Sequence, residues 1–140
     1  MKNKLCSTKE ILYRGKRTDN GEWVEGLPGY GINGNITEIE LFDGFACYYS
    51  IEVDPETVCE YTGLTDKNGG KIFEGDICEI HSSYIDEEDG LFVIEWDEYC
   101  AKIVLSGEDL EVDFDGFSGS DCEVVGNIFD NQELFIRLRR

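Results

Sequence analysis

The chain has few of the residues from which metal centres and catalytic sites are usually built. It contains one histidine, His81, in 140 residues, and its six cysteines never form a Cys-x-x-Cys pair. Structural zinc sites rely on paired cysteines and histidines, so this pattern argues against zinc. We therefore expect neither a metal nor a cofactor.

Long apolar runs are also missing. No stretch approaches the ~20 apolar residues that a membrane-spanning helix requires, and no apolar core of a secretion signal follows Met1. A chain that is not exported does not meet an oxidising compartment. Although the number of cysteines is even, we therefore expect reduced thiols rather than three disulfides, in a cytoplasmic protein.

Basic residues are scarce in the middle of the chain. The net charge is −19, divided into +5 for residues 1–17, −27 for residues 18–136 and +3 for residues 137–140. A body this acidic repels nucleic-acid phosphates and anionic membranes. We expect no direct binding of DNA or RNA, no membrane association, and a partner protein with a basic surface.

Only two prolines but sixteen glycines, with many aromatic residues, favour strands and turns and predict a mainly β fold. Residues 1–60 are predicted to form an N-terminal β-rich region of hairpins. Asn20-Gly21 and Asp43-Gly44 supply the turns. The paired strands are expected at 11–17 with 22–27, and at 36–42 with 45–51. Residues 28–35 are predicted to be a glycine-rich loop, and 57–61 either a short strand or one turn of helix.

Residues 61–140 are predicted to form the second part of the molecule. A Glu74-Gly75-Asp76 corner precedes about five short, closely spaced strands, at 77–82, 92–96, 100–105, 110–115 and 122–129. This pattern is typical of a small closed or nearly closed barrel, which leaves no exposed strand edge. Residues 130–140 form a C-terminal extension, predicted as either a short helix or a strand.

A set of turn motifs, each ordinary by itself, is distinctive in combination. The motifs are Val-Asp-Pro-Glu-Thr-Val at 53–58, Tyr-Thr-Gly-Leu at 61–64, Asp-Lys-Asn-Gly at 66–69, Ile-Phe-Glu-Gly-Asp-Ile at 72–77, Ile-Glu-Trp at 94–96, Glu-Val-Val-Gly-Asn-Ile at 123–128 and Asn-Gln-Glu-Leu at 131–134. Together they resemble the YopX protein family, found mostly in bacteriophages and prophages. The resemblance implies a mostly-β protein of the host-cell cytoplasm whose C-terminal half is an SH3-like barrel. It implies no enzymatic activity. Gln132 and Cys59-Glu60 depart from the usual proline and Gly-Gln, at turn or surface positions.

Two motifs imitate ligand sites. Gly29–Gly34 spells Gly-x-Gly-x-x-Gly, but a dinucleotide site needs a helix after the motif and here a strand-like alternation follows. Residues 111–116 imitate the start of a calcium loop, but Cys122 stands where the bidentate acid belongs. We therefore interpret the first motif as a loop and the second as a strand with an acidic face.

The sequence gives equally weak evidence for catalytic groups. His81 and a cysteine could form a nucleophilic pair, but alternation along the strand places His81 and Cys78 on opposite faces. Glu74 and Asp76 could act as an acid–base couple, yet an Asp after Gly ordinarily bonds the amides of its own turn. No catalytic residue is predicted.

The aromatic residues are too numerous to be buried together in so small a protein. Some are expected to line a surface groove, and an SH3-like barrel often binds an extended peptide in this way. The predicted partner-binding residues are Tyr61, Phe73, Asp76, Tyr84, Trp96 and Tyr99.

Three function classes are compatible with these patterns. The preferred one is a non-catalytic phage or prophage accessory protein that binds a host or phage protein through an acidic-aromatic surface. The alternatives are an acidic mimic of nucleic acid that blocks a DNA-binding protein, and a small hydrolase. Unpaired strands within residues 36–51 also make a homo-oligomer compatible with the sequence.

Overall fold

The computed structural model describes residues 10–80, 90–107, 111–113 and 122–138. The chain divides into two compact units, residues 1–63 and 64–140. The sequence placed the boundary after residue 60. The assignment of residues 1–60 as a β-rich region and of residues 61–140 as an SH3-like barrel unit with a C-terminal extension stays a prediction.

The first unit is built on an antiparallel sheet. Its strands are β1 (Tyr13–Lys16), β2 (Trp23–Tyr30), β3 (Ile36–Phe42) and β4 (Tyr48–Glu52), followed by a 3₁₀ turn (Pro55–Thr57) and β5 (Cys59–Thr65). The order in the sheet is β4-β3-β2-β1-β5, so β4 lies at one edge. Both predicted hairpins are present, because β1 pairs with β2 and β3 pairs with β4.

Both hairpin turns depend on glycine, and the second turn also depends on a capping acid. Gly21 and Gly44 have φ angles of 74° and 86°, which glycine adopts without steric cost. In the second turn the Asp43 carboxylate accepts hydrogen bonds from the amides of Phe45, Ala46 and Cys47, at 2.7, 3.2 and 3.3 Å. The sequence predicted that this strand begins at residue 45. Because of the Asp43 cap, β4 begins at Tyr48 instead.

The predicted loop at 28–35 was partly wrong. Strand β2 continues through Pro28 and Gly29, which pair with Ile39 and Glu38. Proline is tolerated because the pairing of β2 with β1 stops at Gly26, leaving Pro28 with a neighbouring strand on one side only. At Gly29 an added Cβ would lie 3.1 Å from the Cβ of Glu38, so the absence of a side chain permits the close approach of β3.

The open question at 57–61 is answered by both alternatives in succession. Asp54 caps the 3₁₀ turn by accepting a bond from the Glu56 amide at 3.0 Å, and β5 begins at Cys59. The Thr57 hydroxyl donates to the Asp54 carbonyl at 2.7 Å and accepts from the Lys16 amide at 2.9 Å. The turn is thereby attached to β1.

The second unit contains a five-stranded antiparallel sheet. Its elements are β6 (Lys71–Phe73), β7 (Asp76–Ile80), β8 (Gly90–Asp97), β9 (Lys102–Ser106), β10 (Glu111–Asp113), β11 (Cys122–Asn127) and helix α1 (Gln132–Leu138). The sheet order is β10-β9-β8-β7-β11, and β6 is hydrogen-bonded to β5. The main core of this unit consists of Ile72, Cys78, Ile80, Phe92, Ile94, Leu105 and Cys122.

The fold is mainly β, as predicted. Strands β10 and β11 end the sheet on opposite sides, and no pairing between them occurs in the described part of the chain. A barrel closes only when its first and last strands pair. The SH3-like barrel therefore stays a prediction. The C-terminal extension is a helix, because Leu134 and Phe135 pack against buried Ile77 and Val93.

Candidate functional site

Three of the predicted partner-binding residues lie in the interior. Tyr61, Phe73 and Asp76 are 6%, 2% and 1% exposed, so a partner at the surface would not touch them. Trp96 and Tyr99 are 50% and 100% exposed, at the end of β8 and in the turn after it, and for them partner binding stays a prediction. Tyr84 and His81 lie outside the described residues.

Asp76 is enclosed in the Glu-Gly-Asp corner. Its carboxylate accepts a hydrogen bond from the Phe73 amide at 2.8 Å. Gly75, with a φ of 84°, donates to the Ile94 carbonyl and accepts from the Ile128 amide, at 2.8 and 2.9 Å. A buried carboxylate needs hydrogen-bond donors, and the bond from the Phe73 amide connects the two ends of the corner. This geometry favours the structural interpretation of Asp76 over an acid–base role.

Asp66 forms a second internal cap. One carboxylate oxygen accepts from the amides of Asn68 and Gly70, both at 2.9 Å, and the other accepts from the Val124 amide at 3.1 Å. Burial acts to raise the pKa of Asp66, but these three amides outweigh it and hold the pKa below its usual value. The side chain joins the β5–β6 turn to β11.

The buried thiol of Cys78 is a poor nucleophile. Cys78 and Cys122 are fully buried and free of disulfides. A hydrogen bond to Cys122 and burial raise the pKa of the Cys78 thiol, which suppresses the thiolate that nucleophilic catalysis requires. Within the described ranges, no group of three or more His, Cys, Asp or Glu side chains is placed to hold a metal ion.

A surface that sequence reasoning missed lies on the first unit. Cross-strand partners share a face, and the register pairs Leu27 with Glu40, Glu40 with Ser50, Phe42 with Tyr48, and Glu38 with Glu52. We call this surface the acidic-aromatic face; it consists of Leu27, Glu38, Glu40, Phe42, Tyr48, Ser50 and Glu52. All seven residues are exposed.

The aromatic pair lies at the turn end of this face. Phe42 and Tyr48 are 51% and 72% exposed, and their ring centroids lie 4.7 Å apart at a tilt of 32°. The other face of the same strands is directed inward, since Ile39 is fully buried and Leu41 and Ile51 are half-buried. The aromatic pair is thus on the solvent side of the sheet and outside the core.

The face is strongly negative. No Lys, Arg or His occurs between Thr18 and Asp66, so β2, β3 and β4 carry no cationic side chain. Beside the face, hydrogen bonds from the Phe45 and Cys47 amides hold the pKa of Asp43 below its usual value. Alternation within β3 was the signal that could have revealed this surface.

The motifs that form the corners also bear on ancestry. The YopX protein family matches residues 12–135. The chain belongs to this family. It is similar in structure to protein EF1440 from Enterococcus faecalis, whose crystal structure aligns with a TM-score of 0.60 and 22% identity over 91% of this chain and 99% of that one. At this identity the likeness shows a shared fold alone. No functionally curated protein matches the chain.

In this YopX protein, side chains of the turn motifs hold the turns of the fold together by hydrogen bonds to the backbone. Asn127 accepts bonds from the amides of Phe129 and Asp130, both at 2.9 Å, and Asn131 accepts from the Asn127 amide at 3.1 Å. Like Asp66 and Asp76, these side chains are used within the fold. The acidic-aromatic face lies outside the motifs that identify the family.

The Gly29–Gly34 motif has no dinucleotide-binding context in this YopX protein. Strand β2 includes its first two residues and strand β3 follows it, so the glycines do not lead into a helix. Backbone bonds from Gly31 to Asn35 and from Gly34 to Gly31, at 2.7 and 3.1 Å, close the segment as a turn. Of the calcium-like segment, residues 111–113 form strand β10 and the remainder lies outside the described residues. The described residues also contain no helix with the length and apolar content of a transmembrane segment.

Proposed function

We propose that this YopX protein is a non-catalytic phage or prophage accessory protein of the host-cell cytoplasm. Its acidic-aromatic face binds a basic segment of a host or phage protein. The observation that carries the proposal is the exposed Phe42–Tyr48 pair, which shares its sheet face with Glu38, Glu40 and Glu52 and has no cation on the same strands.

Exposed aromatic rings favour protein contact. Burying apolar surface stabilises a complex by about 25 cal/mol per Å², and aromatic residues are enriched at the centres of protein interfaces. In Phe42 and Tyr48 this apolar area is contiguous, since the two rings touch. A partner that covers the pair gains from both rings at once.

Charge selects the kind of partner. An Arg or Lys side chain above the tilted rings would make a cation–π contact while its head group neared Glu40, the next residue of β3 on the same face. The first unit already shows this chemistry on the same side of the sheet, because Trp23 alternates with Leu27 along β2 and pairs with Lys16 of β1. Arg14 and Lys16 lie over the ring of Trp23, at 4.5 and 5.4 Å from its centroid.

The test is affinity capture from nuclease-treated host lysate, followed by binding measurements with the purified captured protein. We expect Phe42→Ala/Tyr48→Ala and Glu38→Gln/Glu40→Gln each to weaken binding about tenfold or more. Glu56→Gln is the matched charge control, because Glu56 is exposed on the 3₁₀ turn and outside the face. Tyr99→Ala is the matched aromatic control in the second unit.

Each pattern of results has a distinct meaning. Loss of binding by Tyr99→Ala with the face variants unaffected would move the site to the second unit and contradict the proposal. Loss by the Glu→Gln variants alone, with displacement by duplex DNA, would support nucleic-acid mimicry instead. Binding that no face variant alters would also contradict the proposal.

A further inference from the structure

The outer edge of β4 is open for pairing along part of its length. The Val53 amide donates to the Thr37 carbonyl and the Asp43 amide donates to the Cys47 carbonyl, both at 3.0 Å. In an antiparallel pair such bonds recur at every second residue. The backbone groups of residues 49 and 51 therefore point to β3, and those of Tyr48, Ser50 and Glu52 point away from it.

One end of this edge is closed by the chain itself. The Glu52 carbonyl accepts a bond from the Thr18 amide at 3.2 Å, and the Glu52 carboxylate accepts one from the Thr18 hydroxyl at 2.8 Å. No strand lies beyond Tyr48 and Ser50 in the described part of the sheet. Their amides and carbonyls form a short open edge.

This edge lacks the features that usually prevent strand pairing. Natural edges are protected by Lys, Pro, β-bulges or very short strands. Strand β4 has no Lys or Pro, and its register with β3 runs from Phe42–Tyr48 to Glu38–Glu52 without a bulge. By contrast, edge strand β11 is bulged between Val124 and Gly126, and edge strand β10 has only three residues.

Resting on the function proposed above, we propose that the basic segment binds by adding a β-strand to the open edge of β4. Such a strand places alternate side chains directly beside Tyr48, Ser50 and Glu52, on the acidic-aromatic face. Lys or Arg at every second position then lies beside the aromatic pair and Glu52. The recognised chemistry is an extended segment of alternating basic and β-branched residues.

Charge argues against a second copy of this chain as the occupant. Pairing β4 with the β4 of a second copy would bring two acidic regions together, because residues 18–66 of each chain contain no Lys, Arg or His. Each chain also carries a net charge of −19. Like charges across a new sheet edge are destabilising, whereas a basic strand is attracted.

The probe is a fluorescent peptide of about ten residues that alternates Arg with Val or Thr, titrated against the full chain. A peptide of the same composition with its Arg residues in one block is the control. N-methylation of the peptide amides that face β4 should weaken binding about tenfold, and N-methylation of the other set should change it about twofold or less.

Ser50→Pro provides the complementary change in the protein. Proline removes the Ser50 amide, which points away from β3, and so leaves the β3–β4 hydrogen bonds in place. We expect peptide binding to weaken about tenfold with an unchanged unfolding midpoint, whereas Ser50→Ala, which retains the amide, should bind normally. If Ser50→Pro does not fold, the N-methylated peptides decide the question.

The outcomes separate this inference from the proposed function. Binding that depends on Phe42, Tyr48 and the glutamates but ignores Ser50→Pro and N-methylation would overturn strand addition and leave the proposed function intact. Equal affinity for the alternating and blocked peptides, or no binding of either, would also overturn strand addition. A concentration-dependent dimer abolished by Ser50→Pro would identify a second copy as the occupant and overturn the basic segment.

Discussion

The two units use their apolar residues differently. Among the described residues, eleven of the fifteen buried hydrophobic side chains belong to the second unit and four to the first. For exposed large hydrophobic side chains the proportion reverses, with eight of twelve in the first unit. The exposed set of the first unit is Ile11, Leu27, Tyr30, Ile32, Phe42, Phe45, Tyr48 and Tyr49.

This difference indicates a division of labour. Burial of apolar area is the main favourable term in folding, so the second unit commits its apolar residues to stability. The first unit leaves many of its large apolar side chains exposed at the surface, where they add nothing to the core and are available to a partner. The comparison predicts that substitutions in the second unit affect stability, and those on the acidic-aromatic face affect binding.

The largest expected effect is Leu105→Ala in the core of the second unit. Leu105 is fully buried, and truncating a buried leucine costs about 3 kcal/mol of unfolding free energy through lost transfer energy and the cavity that remains. Urea unfolding would be followed by Trp96 fluorescence in a Trp23→Phe background, which reports on the second unit. Tyr48→Ala, followed by Trp23 in a Trp96→Phe background, should cost less than about 1 kcal/mol. Equal losses would refute the division of labour.

Asp66→Ala is expected to rank next. It leaves the amides of Asn68, Gly70 and Val124 without their acceptor, and a hydrogen bond to a charged group contributes about 1.5–3 kcal/mol. We expect a loss of about 2 kcal/mol in urea unfolding, because water can satisfy part of the exposed turn. Asp54→Ala, at an exposed cap with a single amide partner, is the control and should cost about 1 kcal/mol.

The same carboxylate predicts a pH dependence. Because the folded-state pKa of Asp66 lies below its unfolded value of about 3.9, its contribution is complete above that pH. The contribution is lost as the pH falls through the folded-state pKa. Unfolding free energies measured downward from pH 6 should therefore decline less steeply in Asp66→Asn than in the wild type. Parallel profiles would show that Asp66 does not contribute to this decline.

Gly126→Ala should cost about 1–2 kcal/mol, somewhat less than the loss of Asp66. A Cβ at Gly126 would overlap the side-chain amide of Asn131, which caps the corner after β11. Calorimetry of Gly126→Ala, Asn131→Ala and the double variant would test this, because shortening Asn131 removes its amide group and leaves only its Cβ, at 3.2 Å from the added Cβ. We expect the double variant to be no less stable than Asn131→Ala alone, and an additive loss would show that the overlap is not the cause.

Sequence patterns predicted this fold well where one face of a strand is wet. Strand β3 alternates visibly, with Glu38 and Glu40 exposed and Ile39 buried, and its predicted bounds are confirmed. Strand β7 is buried on nearly every residue, so alternation could not tell inside from outside. For the same reason Asp76 and the neighbouring Phe73 were expected at a surface that they do not reach.

The candidate site depended on register, which the sequence left open. The prediction started the second strand at residue 45, whereas the Asp43 cap orders three further residues before Tyr48. A turn of this length is what places Tyr48 opposite Phe42. A shift of one residue would have sent Tyr48 to the opposite face, so turn length, more than composition, determines whether the aromatic pair exists.

The smallest expected effect is the coupling between the two rings of that pair. Aromatic pairs contribute about 0.5–1.5 kcal/mol beyond area burial, and both rings here are half or more exposed, so a double-mutant cycle of Phe42→Ala and Tyr48→Ala should give about 0.5 kcal/mol. Leu41→Ala/Tyr49→Ala is the matched cycle on the opposite face, where Leu41 pairs with Tyr49. If the Phe42–Tyr48 coupling exceeded about 1.5 kcal/mol, the main role of the pair would be to stabilise the β3–β4 hairpin. A weak coupling combined with a large loss of binding would show that the two rings serve to bind a partner and contribute little to the stability of the fold.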